Sequence, residues 1–104
     1  MAIDGLKITH HDTDQNGDGK SGEYRAAIPG SSAIGRLIWA AREDGSRVIE
    51  STQVPHEIGG RGIAGALVQH LIADARTQGF KIVPRCSYVE AKFNSHPQWA
   101  DLRA

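Results

Sequence analysis

VPHEIGGRGIAGALVQHLIADARTQG, residues 54–79, is the stretch on which the fold turns. Ile63, Ala64, Leu67, Val68, Leu71, Ile72 and Ala75 recur at steps of four and one, the stripe of an amphipathic helix, with Arg61, Gln69, Asp74 and Arg76 toward water. Gly79 stands where a left-handed C-terminal cap is expected, so the helix is predicted to end near Gln78. Ahead of it, Glu57-Ile58-Gly59-Gly60-Arg61-Gly62-Ile63-Ala64 sets three glycines at the helix start. Glycine lets a backbone approach a ligand closely, and the free N–H groups and positive dipole end of a helix favour an anion such as a pyrophosphate. The pattern lacks the Lys-Ser/Thr of a Walker loop and is not the G-x-G-x-x-G of a dinucleotide fold.

Before this stretch lie three runs rich in Ile, Val, Tyr, Trp and Thr: residues 22–28, 33–42 and 47–54. They are separated by Pro29-Gly30-Ser31-Ser32 and Glu43-Asp44-Gly45-Ser46, which predicts an antiparallel meander. Simple alternation along the third run puts Val48, Glu50, Thr52 and Val54 on one face and Ile49, Ser51 and Gln53 on the other. After the helix, residues 80–83 read as a short buried strand broken by Pro84, and a shorter helix through Val89, Ala91 and Phe93 reaches His96-Pro97. Trp99 and Leu102 are expected to pack the tail.

The stretch from Thr9 to Gly22 contains no aliphatic side chain and reads as a loop within a flexible arm, residues 1–21, ahead of a folded domain over residues 22–104. It satisfies the calcium-loop pattern D-x-[DN]-x-[DN]-G-x5-E through Asp12, Asp14, Asn16, Gly17 and Glu23. No periodic helix precedes it, a strand follows it, and no second hand accompanies it, so it is read as a solvated Asp/Gly turn. No metal site is expected here or at His10, His11 and His70.

The chain has 104 residues, with 12 Lys+Arg against 12 Asp+Glu. One small domain is expected, and no basic stripe argues for nucleic acid. Cys86 is the only cysteine, which excludes an intramolecular disulfide and fits a reducing cytoplasm. Met1-Ala2-Ile3-Asp4-Gly5 is neither a basic leader nor an apolar run, and no stretch approaches the ~18 apolar residues of a membrane helix, so a soluble cytoplasmic protein is expected.

A strand, then E-I-G-G-R-G-I-A, then a long amphipathic helix and a short strand resembles the acetyl-CoA motif of the GNAT acetyltransferases. Residues 81–89, KIVPRCSYV, and 96–102, HPQWADL, resemble the signature of the small single-domain members. The resemblance implies an α/β domain with a mostly antiparallel sheet, one long helix after the third principal strand and a shorter C-terminal helix. It implies binding of acetyl-CoA or CoA, with the N–H of Val54 on the acetyl or pantetheine arm and those of Ile58, Gly59, Gly60, Arg61, Gly62 and Ile63 on the phosphates. The implied activity is N-acetyl transfer to an amine by direct attack on the thioester, in a monomer or homodimer. The alternative is a non-catalytic CoA-binding module or a Cys86-dependent acyl acceptor.

Three departures bear on chemistry. Similar small proteins read H-T-E-V where this chain has Ser51-Thr52-Gln53-Val54, which removes two ionisable side chains and leaves Glu50, with His56 as rival, to act as base. Glu57 occupies a loop position that is often Gln or Arg in larger members. Phe93 stands at the helical position nearest to the tyrosine that protonates the departing thiolate in such enzymes, which leaves Tyr88 as a candidate substitute beside its reading as a packing or capping residue. Arg61 is expected near phosphate, with Lys92 and Arg85 behind it. Cys86, at a strand-to-helix junction, is read as a buried, inert cysteine or, alternatively, as a thiol that faces the acetyl group and accepts it, and His96 is expected to cap the last helix.

Overall fold

Tyr24, Ala26, Leu37, Trp39 and Ile49 are all fully or almost fully buried, and each lies on the same side of its strand. Apolar alternation therefore builds one sheet face against which the long helix can lie. The computed structural model describes residues 3–14 and 19–104. Its strands β1 (Lys7–Asp12), β2 (Ser21–Ala27), β3 (Gly35–Ala41), β4 (Arg47–Gln53) and β5 (Ile82–Pro84) form a single sheet in chain order. The first four are antiparallel neighbours, and β5 joins β4 in parallel through the crossover helix α1 (Ile63–Gln78). A second helix, α2 (Ser87–Asn94), and a 3-10 segment, Pro97–Leu102, complete the fold.

The helix stripe predicted for residues 63–78 is buried as expected through Ile63, Leu67, Val68, Leu71, Ile72 and Ala75. Gly79 closes α1 in the left-handed region, φ 81°, donating its N–H to the Ala75 carbonyl. Close approach of helix and sheet depends on Gly35, where a Cβ would lie 2.9 Å from the Ile63 side chain. Val89, Phe93, Trp99 and Leu102 join the same core, so α2 and the tail extend the helical layer. The C-terminus then covers the outer edge of β5, with the Ala104 N–H donating to the Ile82 carbonyl at 2.8 Å.

Two expectations are corrected. Residues 7–12 form strand β1 rather than a loop, because pairing with β2 supplies what the polar sequence lacks locally. His10 lies across from Tyr24 and packs 4.9 Å from the Tyr24 ring and 5.5 Å from that of Trp39, so tertiary context overrides weak local propensity. The simple alternation along β4 also fails. Ile38 pairs with Ser51 and Trp39 with Ile49, which leaves Glu50 as the extra residue of a β-bulge. Val48, opposite Ala40, and Thr52, opposite Leu37, thereby fall on opposite faces.

The calcium-like pattern is only partly within the described residues, since Asn16 and Gly17 lie outside them. Its last acidic residue, Glu23, sits on β2 with its carboxylate against Arg25 at 2.7 Å and Arg36 at 3.1 Å. Asp14 accepts the N–H of Lys20 at 2.9 Å. Among the described residues no group of three His, Cys, Asp or Glu side chains is placed to hold a metal ion, and no helix is long and apolar enough to cross a membrane.

Candidate active site

Between β4 and α1 the chain turns on one buried anchor. Val54 packs against the core, Pro55 is extended, and His56–Ile58 makes a single 3-10 turn whose Ile58 side chain is 1% exposed. The Ile58 N–H donates to Pro55 O at 3.1 Å and that of Gly59 to His56 O at 3.0 Å. These two amides, expected from sequence to meet phosphate, are thus already engaged within the turn. Beyond them the backbone faces outward. Gly60 and Gly62 have φ of 73° and 82°, angles that disfavour any side chain, and a Cβ on either would meet nothing within 4 Å.

Gly62 is the N-cap of α1, with no side-chain cap, and the first helical bond runs from Ala66 N–H to Gly62 O. The amides from Gly60 to Gly65 consequently find no backbone carbonyl among the described residues. No acidic residue occupies the first turn, and Arg61 is exposed beside it. Open glycines, unused donors and the positive end of a 16-residue helix form a cradle whose chemistry favours an anion.

A second opening lies at the other side of β4. Parallel pairing with β5 extends only over Arg47–Ile49, and the Cys86 N–H makes the last link, to Ile49 O at 2.8 Å. There β5 ends, and past the bulge at Glu50 the chain after Pro84 turns into α2 instead of continuing along β4. Ser51, Thr52 and Gln53 keep β3 as a partner but have none on the β5 side. Across this gap the Thr52 hydroxyl lies 3.6 Å from the Cys86 sulfur.

Cys86 is also the N-cap of α2, half-buried, with its thiol near the first-turn backbone of that helix. Burial pushes its pKa up, but the Val89 backbone, the Thr52 hydroxyl and the Tyr88 backbone outweigh this, and the net result lies below the ordinary 9.0. Tyr88, two residues on, aims its hydroxyl at α1, where a Cβ on Gly65 would approach it to 3.7 Å. Lys92 places its ammonium 5.4 Å from the centre of the Tyr88 ring. A cavity of about 240 Å³ lies between α1 and α2, lined by Gly62, Gly65, Gln69, Lys92, His96 and Trp99 among others.

Of the sequence candidates, the structure brings Cys86 and Tyr88 together at the start of α2 and joins Gly60 to Ile63 in the cradle. Lys92 lines the cavity beside that cradle, whereas Arg85 is exposed on the approach to α2. Glu50 is exposed on the bulge, immediately after the residue that accepts the Cys86 N–H, and His56 is exposed on the connecting turn. Neither side chain has a hydrogen-bond or ion-pair partner among the described residues. His96 does cap α2, with Nδ1 at 2.7 Å from the Lys92 carbonyl, and its ring stacks on Trp99 at 4.0 Å. Two residues were missed. Thr52 looked inert because it is neutral, and its relation to Cys86 is a long-range one. Gly65 carried a local signal, since it follows Gly62 by one helical turn and leaves a smooth wall there.

A family model described as GCN5-related N-acetyl-transferase matches residues 23–102. No curated protein matches the chain.

Proposed function

The chain belongs to the GCN5-related N-acetyltransferase family, and from that premise we propose that it is an acetyl-CoA-dependent N-acetyltransferase. Domains of the family generally use acetyl-CoA. The observation that carries the reading is the coincidence of the uncapped glycine cradle at the start of α1 with the divergence of β4 and β5 beside it.

When bound, acetyl-CoA supplies an activated acetyl thioester, which the acceptor amine attacks directly. The amides from Gly60 to Ile63 hold the pyrophosphate, with Arg61 adding charge, while the already engaged Ile58 and Gly59 shape the turn. The cavity wall of Gly62, Gly65 and Lys92 takes the arm that follows. The Val54 N–H orients the acyl end at the mouth of the gap, and the walls of that gap, Thr52 and Cys86, set its depth. Glu50, on the bulge, accepts the proton that the acceptor ammonium loses to become the attacking amine, and the Tyr88 hydroxyl gives one to the departing thiolate. The acceptor is a primary amine, approached from the open side of β4.

A second reading is favoured by the Thr52–Cys86 contact and the lowered thiol pKa. In it the Cys86 thiolate attacks the thioester, CoA leaves as thiolate, and the acyl-cysteine is passed to the amine or retained. Incubation with acetyl-CoA followed by intact-mass analysis separates the two. Transfer to an added amine that Cys86→Ala retains, with no mass gain when the amine is left out, supports direct attack, and a gain of one acetyl group without amine that Cys86→Ala abolishes supports the second reading. Absence of any CoA-induced rise in melting temperature at millimolar ligand overturns both.

A further inference from the structure

We infer that the sheet face opposite the helices binds the acceptor, and that Arg25 and Arg36 recognise a carboxylate carried by it; this rests on the acetyltransferase reading above. The helix-facing side chains of β2 and β3 are buried, whereas Glu23, Arg25, Arg36 and Ile38 occupy the other side and remain partly or fully exposed. No helix covers that side among the described residues. The register lines up two rows across it. One runs His11, Glu23, Ile38, Ser51, and the other Thr9, Arg25, Arg36, Gln53. Both rows end on the part of β4 that borders the gap near Cys86.

Arg25 and Arg36 are directly opposite each other. Like charges in that arrangement repel, and an exposed ion pair returns little stability. A single carboxylate oxygen of Glu23 accepts from the Nε of Arg25 at 2.7 Å and faces the Nε of Arg36 at 3.1 Å. Two guanidiniums against one carboxylate leave one positive charge. Their Nη donors have no partner among the described residues, and the two side chains are 41% and 46% exposed. The forked planes and the single unbalanced charge suit a monoanionic carboxylate.

Neighbouring strands are ~4.8 Å apart, so β3 and β2 lie roughly 5 and 10 Å from β4. An amine separated from its carboxylate by a few methylene groups spans from the gap to this pair. The substrate class is accordingly a small ω-amino acid. Ser51 and Gln53, joined by a 3.3 Å hydrogen bond, form a neutral floor between its two ends.

The test titrates ¹⁵N-labelled protein with 4-aminobutyrate, n-butylamine and 3-aminopropyl phosphate, following the Arg25 and Arg36 Nε–H signals. The expected result is saturable shifts of both signals with 4-aminobutyrate and none with n-butylamine. Affinity should fall at least about tenfold in Arg25→Gln/Arg36→Gln and rise in Glu23→Gln, which frees the guanidiniums. With acetyl-CoA present, the kcat/KM ratio of 4-aminobutyrate to n-butylamine should collapse by a similar factor in the double variant. The melting shift caused by CoA should be the same in all three proteins. Silent arginine signals, equal response to n-butylamine, or tighter binding of the phosphate dianion overturns the inference. If CoA fails to stabilise the protein while the arginines still respond, it is the acetyltransferase reading that falls; if CoA binds and the arginines stay silent, only the carboxylate assignment does.

Discussion

The Thr52 hydroxyl and the Cys86 sulfur, 34 residues apart in the chain, meet at 3.6 Å where β4 and the entry to α2 separate. Thr52 reaches that position because the bulge at Glu50 turns it to the helix side of the sheet, opposite Leu37. Cys86 reaches it because its own N–H is tied to Ile49. The contact therefore measures the width of the gap and the state of the thiol together.

Alkylation of Cys86 should follow a pH profile whose midpoint lies below the ordinary thiol value of 9.0. A lowered folded pKa favours the thiolate, so its contribution to stability is present above the unfolded pKa and is lost as pH falls through the folded one. Thr52→Val removes one of the groups that favour the thiolate and should move the midpoint upward. Iodoacetamide rates measured across pH check this. Saturating acetyl-CoA should slow the reaction, whereas labelling only under denaturing conditions would show the thiol to be inaccessible.

CoA and acetyl-CoA should raise the melting temperature. At ~100-fold excess over Kd the stabilisation is roughly 2.7 kcal/mol, or on the order of 10 °C for a domain of this size. Gly62→Val should abolish the shift, because a β-branched residue resists the φ of 82° and intrudes on the cradle. A folded Gly62→Val protein that still responds to CoA would place the phosphates elsewhere. Thermal denaturation of both proteins with and without ligand decides it.

Tyr24 donates to Asp74, and Arg47, stacked between the rings of Trp39 at 3.9 Å and Phe80 at 4.0 Å, donates to the Tyr24 oxygen. Tyr24→Phe should cost about 1–3 kcal/mol by leaving the Asp74 carboxylate one donor short. Burial and the Asp74 carboxylate raise the Tyr24 pKa far above 10.0. The stability its neutral form contributes is fully present below the unfolded value and declines as pH rises above about 10. Urea titrations at pH 8 and above 10 should show that decline in the parent protein and a smaller one in Tyr24→Phe.

Gly22→Ala should destabilise by about 1–3 kcal/mol without touching CoA binding. Its Cβ would lie 2.6 Å from the Trp39 ring and 2.9 Å from the His11 carbonyl, neither of which can move without disturbing β1. Denaturant midpoints and the CoA melting shift, measured side by side, separate the two effects.

Calcium at millimolar concentration should leave stability and the amide signals around Glu23 nearly unchanged. Coordination by Glu23 would require its carboxylate to leave both Arg25 and Arg36. A saturable response with a micromolar midpoint, lost in Glu23→Gln, would reverse this reading.

What the sequence determined by itself was everything carried by local periodicity and local backbone chemistry. The apolar stripe of residues 63–78, the glycine stop at Gly79 and the alternating runs of β2 and β3 each state their structure within a dozen residues, because helix and strand periods are set by backbone geometry alone. The glycine cradle was legible for the same reason. Tertiary structure decided what depends on a partner strand. Residues 7–12 carry no strand signal and become β1 only against Tyr24 and Trp39. The bulge at Glu50 exists only relative to the register of β3, and with it come the face of Thr52 and the approach to Cys86. The opposition of Arg25 and Arg36 is likewise a property of pairing, since a strand specifies which residues share its own face but not which residue of the next strand stands across from each.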